Sequence, residues 1–211
     1  MARLYLLAVP IVVGLAAGVF LTSYQDREEQ TLTASRLAEG GSPILGDAGA
    51  PITILEWGDY QCTFCFKFHQ STLEALEGHI EAGRARLVFK DFPLNGPDSV
   101  LAAEASHCAH DQGRYWEYHD ELYENWGGER TGWITREALG GFASEVGLDT
   151  GQFDRCLDEK KYREKVLALY EFGREIGISG TPSFLIFNGE KIVKIVGNQP
   201  LQVFLKTLEE L

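Results

Sequence analysis

The chain has 211 residues, of which 45% are hydrophobic, and a net charge of -12. That length suits one core carrying an insertion better than two full domains. A surface this acidic repels phosphate backbones and anionic lipid headgroups, which excludes nucleic acid and charge-driven membrane binding and leaves proteins as the expected partners.

Residues 4–21, LYLLAVPIVVGLAAGVFL, are eighteen uncharged residues between Arg3 and an acidic run that starts at Asp26. The positive flank is expected to stay in the cytoplasm while the acidic side crosses. A cleavable leader has a shorter apolar region, about 7 to 15 residues, ending in a small-residue site. Here the best small pair, Ala16 and Gly18, lies inside the apolar run. Residues 1–25 therefore read as an uncleaved transmembrane signal-anchor, which connects the protein to the membrane, and residues 26–42, polar and ending in Gly40 and Gly41, as a tether. The remainder, residues 43–211, is expected to be extracytoplasmic, in the periplasm or at the cell exterior.

The segment ITILEWG from Ile52 is apolar and β-branched, as a buried strand should be. A C-x-x-C motif follows at Cys62 and Cys65, then FHQSTLEALEGHIEAG with helical spacing and a glycine stop, then the strand ARLVFKDFP. This is a β-α-β unit, which predicts parallel strands. Residues 97–177 change character, with helical stretches DSVLAAEASHCAHDQG, RYWEYHDELYENW, TREALGGFASEVG and DEKKYREKVLALYEFGREIG separated by glycine-containing breaks, and they read as a helical insertion. Strands return in PSFLIF and KIVKIVG, joined by a turn at Asn188 and Gly189, and LQVFLKTLEEL forms a final helix.

Export changes how the four cysteines read, because disulfides persist in oxidising compartments and an even number points to pairing. Of the three possible connectivities, Cys62 with Cys65 and Cys108 with Cys156 is the economical one. The second pair, 48 positions apart, with Cys108 in the first inserted helix and Cys156 near the start of the last, is expected as a structural disulfide that ties the insertion together. A cysteine at the first turn of a helix lies near the positive end of the macrodipole, so its thiolate is favoured. Cys62 is the expected nucleophile, and Cys65, one turn later, the resolving thiol.

These features, in this order, resemble the thioredoxin-like superfamily, and within it the DsbA-like thiol:disulfide oxidoreductases. Besides the cysteine motif, the resemblance rests on Glu56 six positions before Cys62, on FKDFPL at residues 89–94, on GISGTPSFLI at residues 177–186, and on a helical insertion of about 80 residues. It implies an α/β thioredoxin-like fold over residues 43–211, with the insertion between a β-α-β half and a C-terminal hairpin plus helix. It also implies that Glu56 is a buried carboxylate assisting proton transfer, that Pro182 follows a cis peptide bond, and that Thr181 offers its backbone to substrate as an added strand. Phe64 and Tyr60 are expected to form an apolar patch for unfolded chains.

The activity implied is the introduction of disulfides into reduced exported proteins through the Cys62–Cys65 disulfide, without an organic cofactor or metal. The pair is then recharged by a quinone-coupled membrane thiol oxidase of DsbB-like or VKOR-like type. Strong oxidants of the family often carry histidine before the second cysteine; Phe64 stands there instead, so a milder oxidant is expected. The same chemistry run backwards gives a reductase or isomerase. A different class is a redox-inactive chaperone or a zinc-binding module using Cys62, Cys65 and His69. His107 and His110, flanking Cys108, are expected to be solvated. Trp57, Tyr60, Phe66 and Phe68 are expected mostly in the core, with Phe64 exposed.

Overall fold

The computed structural model describes residues 34–211; the apolar segment 4–21 and the first part of the tether lie outside these residues. Among the described residues no helix is long and apolar enough to cross a membrane.

Strand β1 (Ile52–Gly58) is buried along its whole length, as its unbroken apolar run requires. It pairs in parallel with β2 (Ala85–Asp91) on one side and antiparallel with β3 (Ser183–Phe187) on the other, and β3 pairs antiparallel with β4 (Ile192–Val196). The sheet order is thus β2-β1-β3-β4. Side chains alternate between its faces. Ile52 and Ile54 join Phe68, Leu76, Phe184 and Phe204 in one core, while Leu55 and Trp57 join Val88, Phe92, Ile178 and Phe187 in another.

The helix between β1 and β2 is continuous but irregular. It runs as α2 (Thr63–Lys67), a π-helical stretch Phe68–Leu73, and α3 (Glu74–Glu81). The hairpin turn is built as expected, with Gly189 at φ 95° and the Asn188 side chain accepting from the Glu190 and Lys191 amides, each at 3.0 Å. The last helix, which follows the inserted ones, spans Leu201–Glu210.

The insertion contains α4 (Pro97–His110), α5 (Tyr115–Glu124), α6 (Arg136–Glu145), α7 (Thr150–Asp158) and α8 (Arg163–Glu175). Cys108 and Cys156 form a disulfide that joins α4 to α7. Cys156 therefore does not open the last inserted helix; it belongs to a separate one. Asp149 caps α7 by accepting from the Gln152 amide at 2.9 Å, and Lys160 at φ 53° breaks the chain before α8 begins.

Two further expectations are corrected. The C-terminal part of the tether is folded: α1 (Ala34–Ala38) buries Leu37 completely, and Ser42 exchanges two bonds with the Phe89 backbone, at 2.8 and 2.9 Å. A few scattered apolar residues in a polar run carry no period, so the sequence pattern could not separate this docked segment from a linker. His107 is not solvated; its ring is buried and its Nε2 lies 2.8 Å from Asp91 Oδ2. His110 is exposed, as expected.

Candidate active site

Cys62 is the N-cap of α2, so its sulfur lies at the helix end that carries the first free amides. Its Sγ donates to the carbonyl oxygen of Thr181 at 3.4 Å, and the Thr181–Pro182 peptide bond is cis. The structure thus brings together the C-x-x-C motif and the loop before β3, which lie 119 positions apart. Both cysteines carry free thiols in this structure.

The two thiols differ in chemistry because they differ in surroundings. Cys62 is lowered from 9.0 to about 7, first by the hydrogen bond from the Cys65 thiol, then by Thr181 and by the Cys65 and Phe64 backbone, with burial opposing. Near neutral pH about half of it is thiolate. Cys65 is fully buried and its thiol is pushed well up, by burial first and then by its bond to Cys62. A low-pKa nucleophile at the helix end, 5% exposed, with a protonated and wholly buried partner behind it is the arrangement thiol–disulfide exchange needs.

Glu56 sits directly opposite Phe89 on β2 and Phe184 on β3, on the same face of the sheet. Two aromatic neighbours and 3% exposure remove its water, and its carboxyl is raised from 4.5 to about 8, mainly by burial and then by the charge of Cys62. It therefore carries a proton at neutral pH, which suits an acid–base role toward the cysteines.

Phe64 is 56% exposed, beside Cys62, as expected of a substrate contact. Tyr60 is not. Its ring is buried against Phe89, Tyr123 and His119, and its hydroxyl lies 2.9 Å from His119 Nδ1. The substrate role expected for Tyr60 is thereby removed, because a ring with 1% exposure offers no surface. His69 does not join the cysteines either; its Nε2 pairs with Asp120 Oδ1 at 3.1 Å.

Sequence reading missed the frame that holds the motif. Asp59 is buried and accepts from the Gln61 amide at 2.8 Å, the Asn95 amide at 2.8 Å and the Ser99 hydroxyl at 2.7 Å. This fixes the turn leading into Cys62. From the insertion, Trp126 Nε1 donates to the Gln61 carbonyl at 3.1 Å, the Arg130 amide donates to the Gln61 side chain at 2.9 Å, and Trp126 stacks on Phe66 at 4.4 Å. Only the glycine pair in WGGER marked this loop, and it signals a break rather than a contact.

The same loop brings in a negative charge. Glu129 Oε1 accepts from the Thr63 amide at 2.8 Å, at the helix end where the Cys62 thiolate forms. The two anions compete for the same positive end. Glu129→Gln keeps an acceptor but removes the charge, so the Cys62 pKa should fall at low salt, because a like charge nearby disfavours the thiolate. Thiolate absorbance against pH measures this, and an unchanged or raised value would show that Glu129 has no part in tuning Cys62.

Comparison with known proteins agrees with this arrangement. A thioredoxin family model matches residues 38–208. The chain is 29% identical over 185 residues to the probable disulfide bond formation protein D of Bacillus anthracis, covering 85% of this chain and 83% of that protein. Its fold superposes on oxidised BdbD from Bacillus subtilis with a TM-score of 0.73 at 25% identity, covering 84% of this chain and 94% of that one. It also superposes on the thiol-disulfide exchange protein alpha-DsbA2 of Wolbachia pipientis with a TM-score of 0.67 at 20% identity, covering 90% and 92%.

Proposed function

Because the chain belongs to the thioredoxin family, as a DsbA-like thiol:disulfide oxidoreductase, we propose that it works in the oxidising direction, introducing disulfides into reduced exported proteins from a membrane-anchored, extracytoplasmic position. The observation that carries this reading is the environment of Cys62: a depressed thiol at a helix start, beside the Thr181 carbonyl, with a protonated thiol behind it.

In the cycle, a substrate thiolate attacks Cys62 Sγ of the Cys62–Cys65 disulfide. The bond between the cysteines breaks, Cys65 takes the electron pair, and Glu56 is the acid that helps protonate it. A second substrate thiolate then attacks the substrate sulfur of the mixed disulfide, and Cys62 leaves as the thiolate its surroundings favour. The substrate dithiol has lost two electrons and two protons to become a disulfide, and the enzyme disulfide has become a dithiol. The electrons reside on the cysteine pair, so no organic cofactor is required. A quinone-coupled membrane thiol oxidase, DsbB-like or VKOR-like, recharges the pair. Thr181 receives the substrate backbone and Phe64 its apolar side chains.

One observation favours the reverse direction. A nucleophile near 7 lies with thioredoxin, at about 7, rather than with DsbA, at about 3.5, and a less stabilised thiolate makes a weaker oxidant. The deciding measurement is the equilibrium potential of the Cys62–Cys65 pair against glutathione, on the full chain with the Cys108–Cys156 disulfide intact. The expected value lies above the thioredoxin end of about -270 mV and toward the DsbA end of about -120 mV. A value at or below the thioredoxin end makes the protein a reductase that must be fed electrons.

A further inference from the structure

We propose that His69, His119 and Asp120 form a binding site for a divalent transition-metal cation, with Zn2+ the closest match to the donor set. One ring nitrogen of each histidine and one carboxylate oxygen lie within 4.8 Å of one another, the only such group of three among the described residues. His69 Nε2 and Asp120 Oδ1 are 3.1 Å apart. Two ligands about 2.0 to 2.1 Å from a tetrahedral zinc are separated by about 3.3 Å, so this pair already has the spacing of two adjacent ligands. Imidazole nitrogens with one carboxylate suit zinc and its neighbours, whereas calcium and magnesium take oxygen ligands almost exclusively.

The third ligand is held in place from behind. Tyr60 Oη contacts His119 Nδ1 at 2.9 Å, and the rings of Tyr123, Trp116 and Phe89 pack around the imidazole. With Nδ1 engaged, Nε2 is the nitrogen left for a metal, and a hydrogen bond to the far ring nitrogen is the usual outer support of a metal-bound histidine. The ion has a way in: Asp120 is half exposed, and it lines a cavity of about 250 Å³ together with Glu77 and Glu81. The fourth position is left to water.

The site lies where the two parts of the protein meet. His69 belongs to the π-helical stretch Phe68–Leu73 of the helix that starts at Cys62, and His119 and Asp120 belong to α5 of the insertion. Local π-helical geometry is uncommon and recurs at functional sites. A metal here clamps the active-site helix to the insertion, one hydrogen bond away from Tyr60 and the turn that carries Cys62. The site is separate from the thiols and does not depend on the direction of their chemistry.

The test uses the full chain with Cys62 and Cys65 oxidised, so that no free thiolate competes for metal. Zn2+ is titrated by calorimetry, and Co2+ serves as a spectroscopic probe. The expected result is one Zn2+ per chain, a Co2+ spectrum of nitrogen and oxygen ligands with no sulfur charge-transfer band, and a rise in unfolding temperature with Zn2+. His69→Gln and Asp120→Asn should each weaken binding at least tenfold, and each should remove the temperature rise. Asp120 is exposed enough that its variant separates loss of a ligand from loss of folding. Absence of binding, or binding that neither substitution changes, overturns the site and leaves His69 and Asp120 as an ion pair between helices.

Discussion

Cys62→Ser should abolish disulfide transfer, lowering turnover at least about 10³-fold, the scale seen when an enzyme loses its nucleophile. Cys65→Ser should fail differently. Its Cys62 still attacks a disulfide substrate, but the mixed disulfide then has no internal thiol to break it, so the covalent adduct accumulates and is visible by mass spectrometry. The difference follows from position: Cys62 Sγ lies at the helix end against Thr181, while Cys65 is wholly buried behind it. A third substitution, Cys65→Ala, removes the largest cause of the depressed Cys62 pKa, which should rise from about 7 toward the ordinary value of 9.0. Alkylation rate against pH reports that rise. Disulfide transfer that survives Cys62→Ser would remove Cys62 from the role of nucleophile.

The sequence carried the parts of this machine that depend on local pattern. The unbroken run ITILEWG, the glycine stops and the Asn188–Gly189 turn place the strands and the hairpin, because burial on both faces and positive φ each leave a mark on neighbouring residues. The Cys108–Cys156 pairing was legible from the even cysteine count and the spacing. What was not legible depends on partners far along the chain. Nothing local tells that Tyr60 turns away from the Phe64 patch until α5 covers it, and His107 reads as solvated until Asp91, 16 positions away, lies against it. Asp59 and Gln61 flank the motif without any periodic signal, yet they make the bonds that fix the turn and anchor the insertion loop. Leu37 shows the same limit, since only tertiary contact distinguishes a docked segment from a tether.

Glu56 should make the reduced protein lose stability as pH rises. Its carboxyl keeps a proton up to about 8 in the folded chain, against 4.5 when exposed. Between those values the unfolded chain releases a proton that the folded chain holds, so this contribution is complete at low pH and is lost progressively as pH rises through 8. At about 1.36 kcal/mol per unit, the loss reaches about 3 kcal/mol at pH 7 and about 5 kcal/mol above pH 8. Glu56→Gln keeps the shape of the side chain and cannot ionise, so urea denaturation should show the variant gaining about these amounts, with a flatter pH profile. The same group is linked to the redox equilibrium. The Cys62 charge is the second cause of the raised Glu56 pKa, so an ionised Glu56 must disfavour the thiolate in return. Above pH 8 the wild type should therefore be a weaker oxidant than Glu56→Gln, and the two potentials should converge as the pH falls and Glu56 takes up its proton. Stability profiles that coincide would mean that Glu56 ionises freely in the folded chain, and its place as the acid–base partner of the cysteines would fall with them.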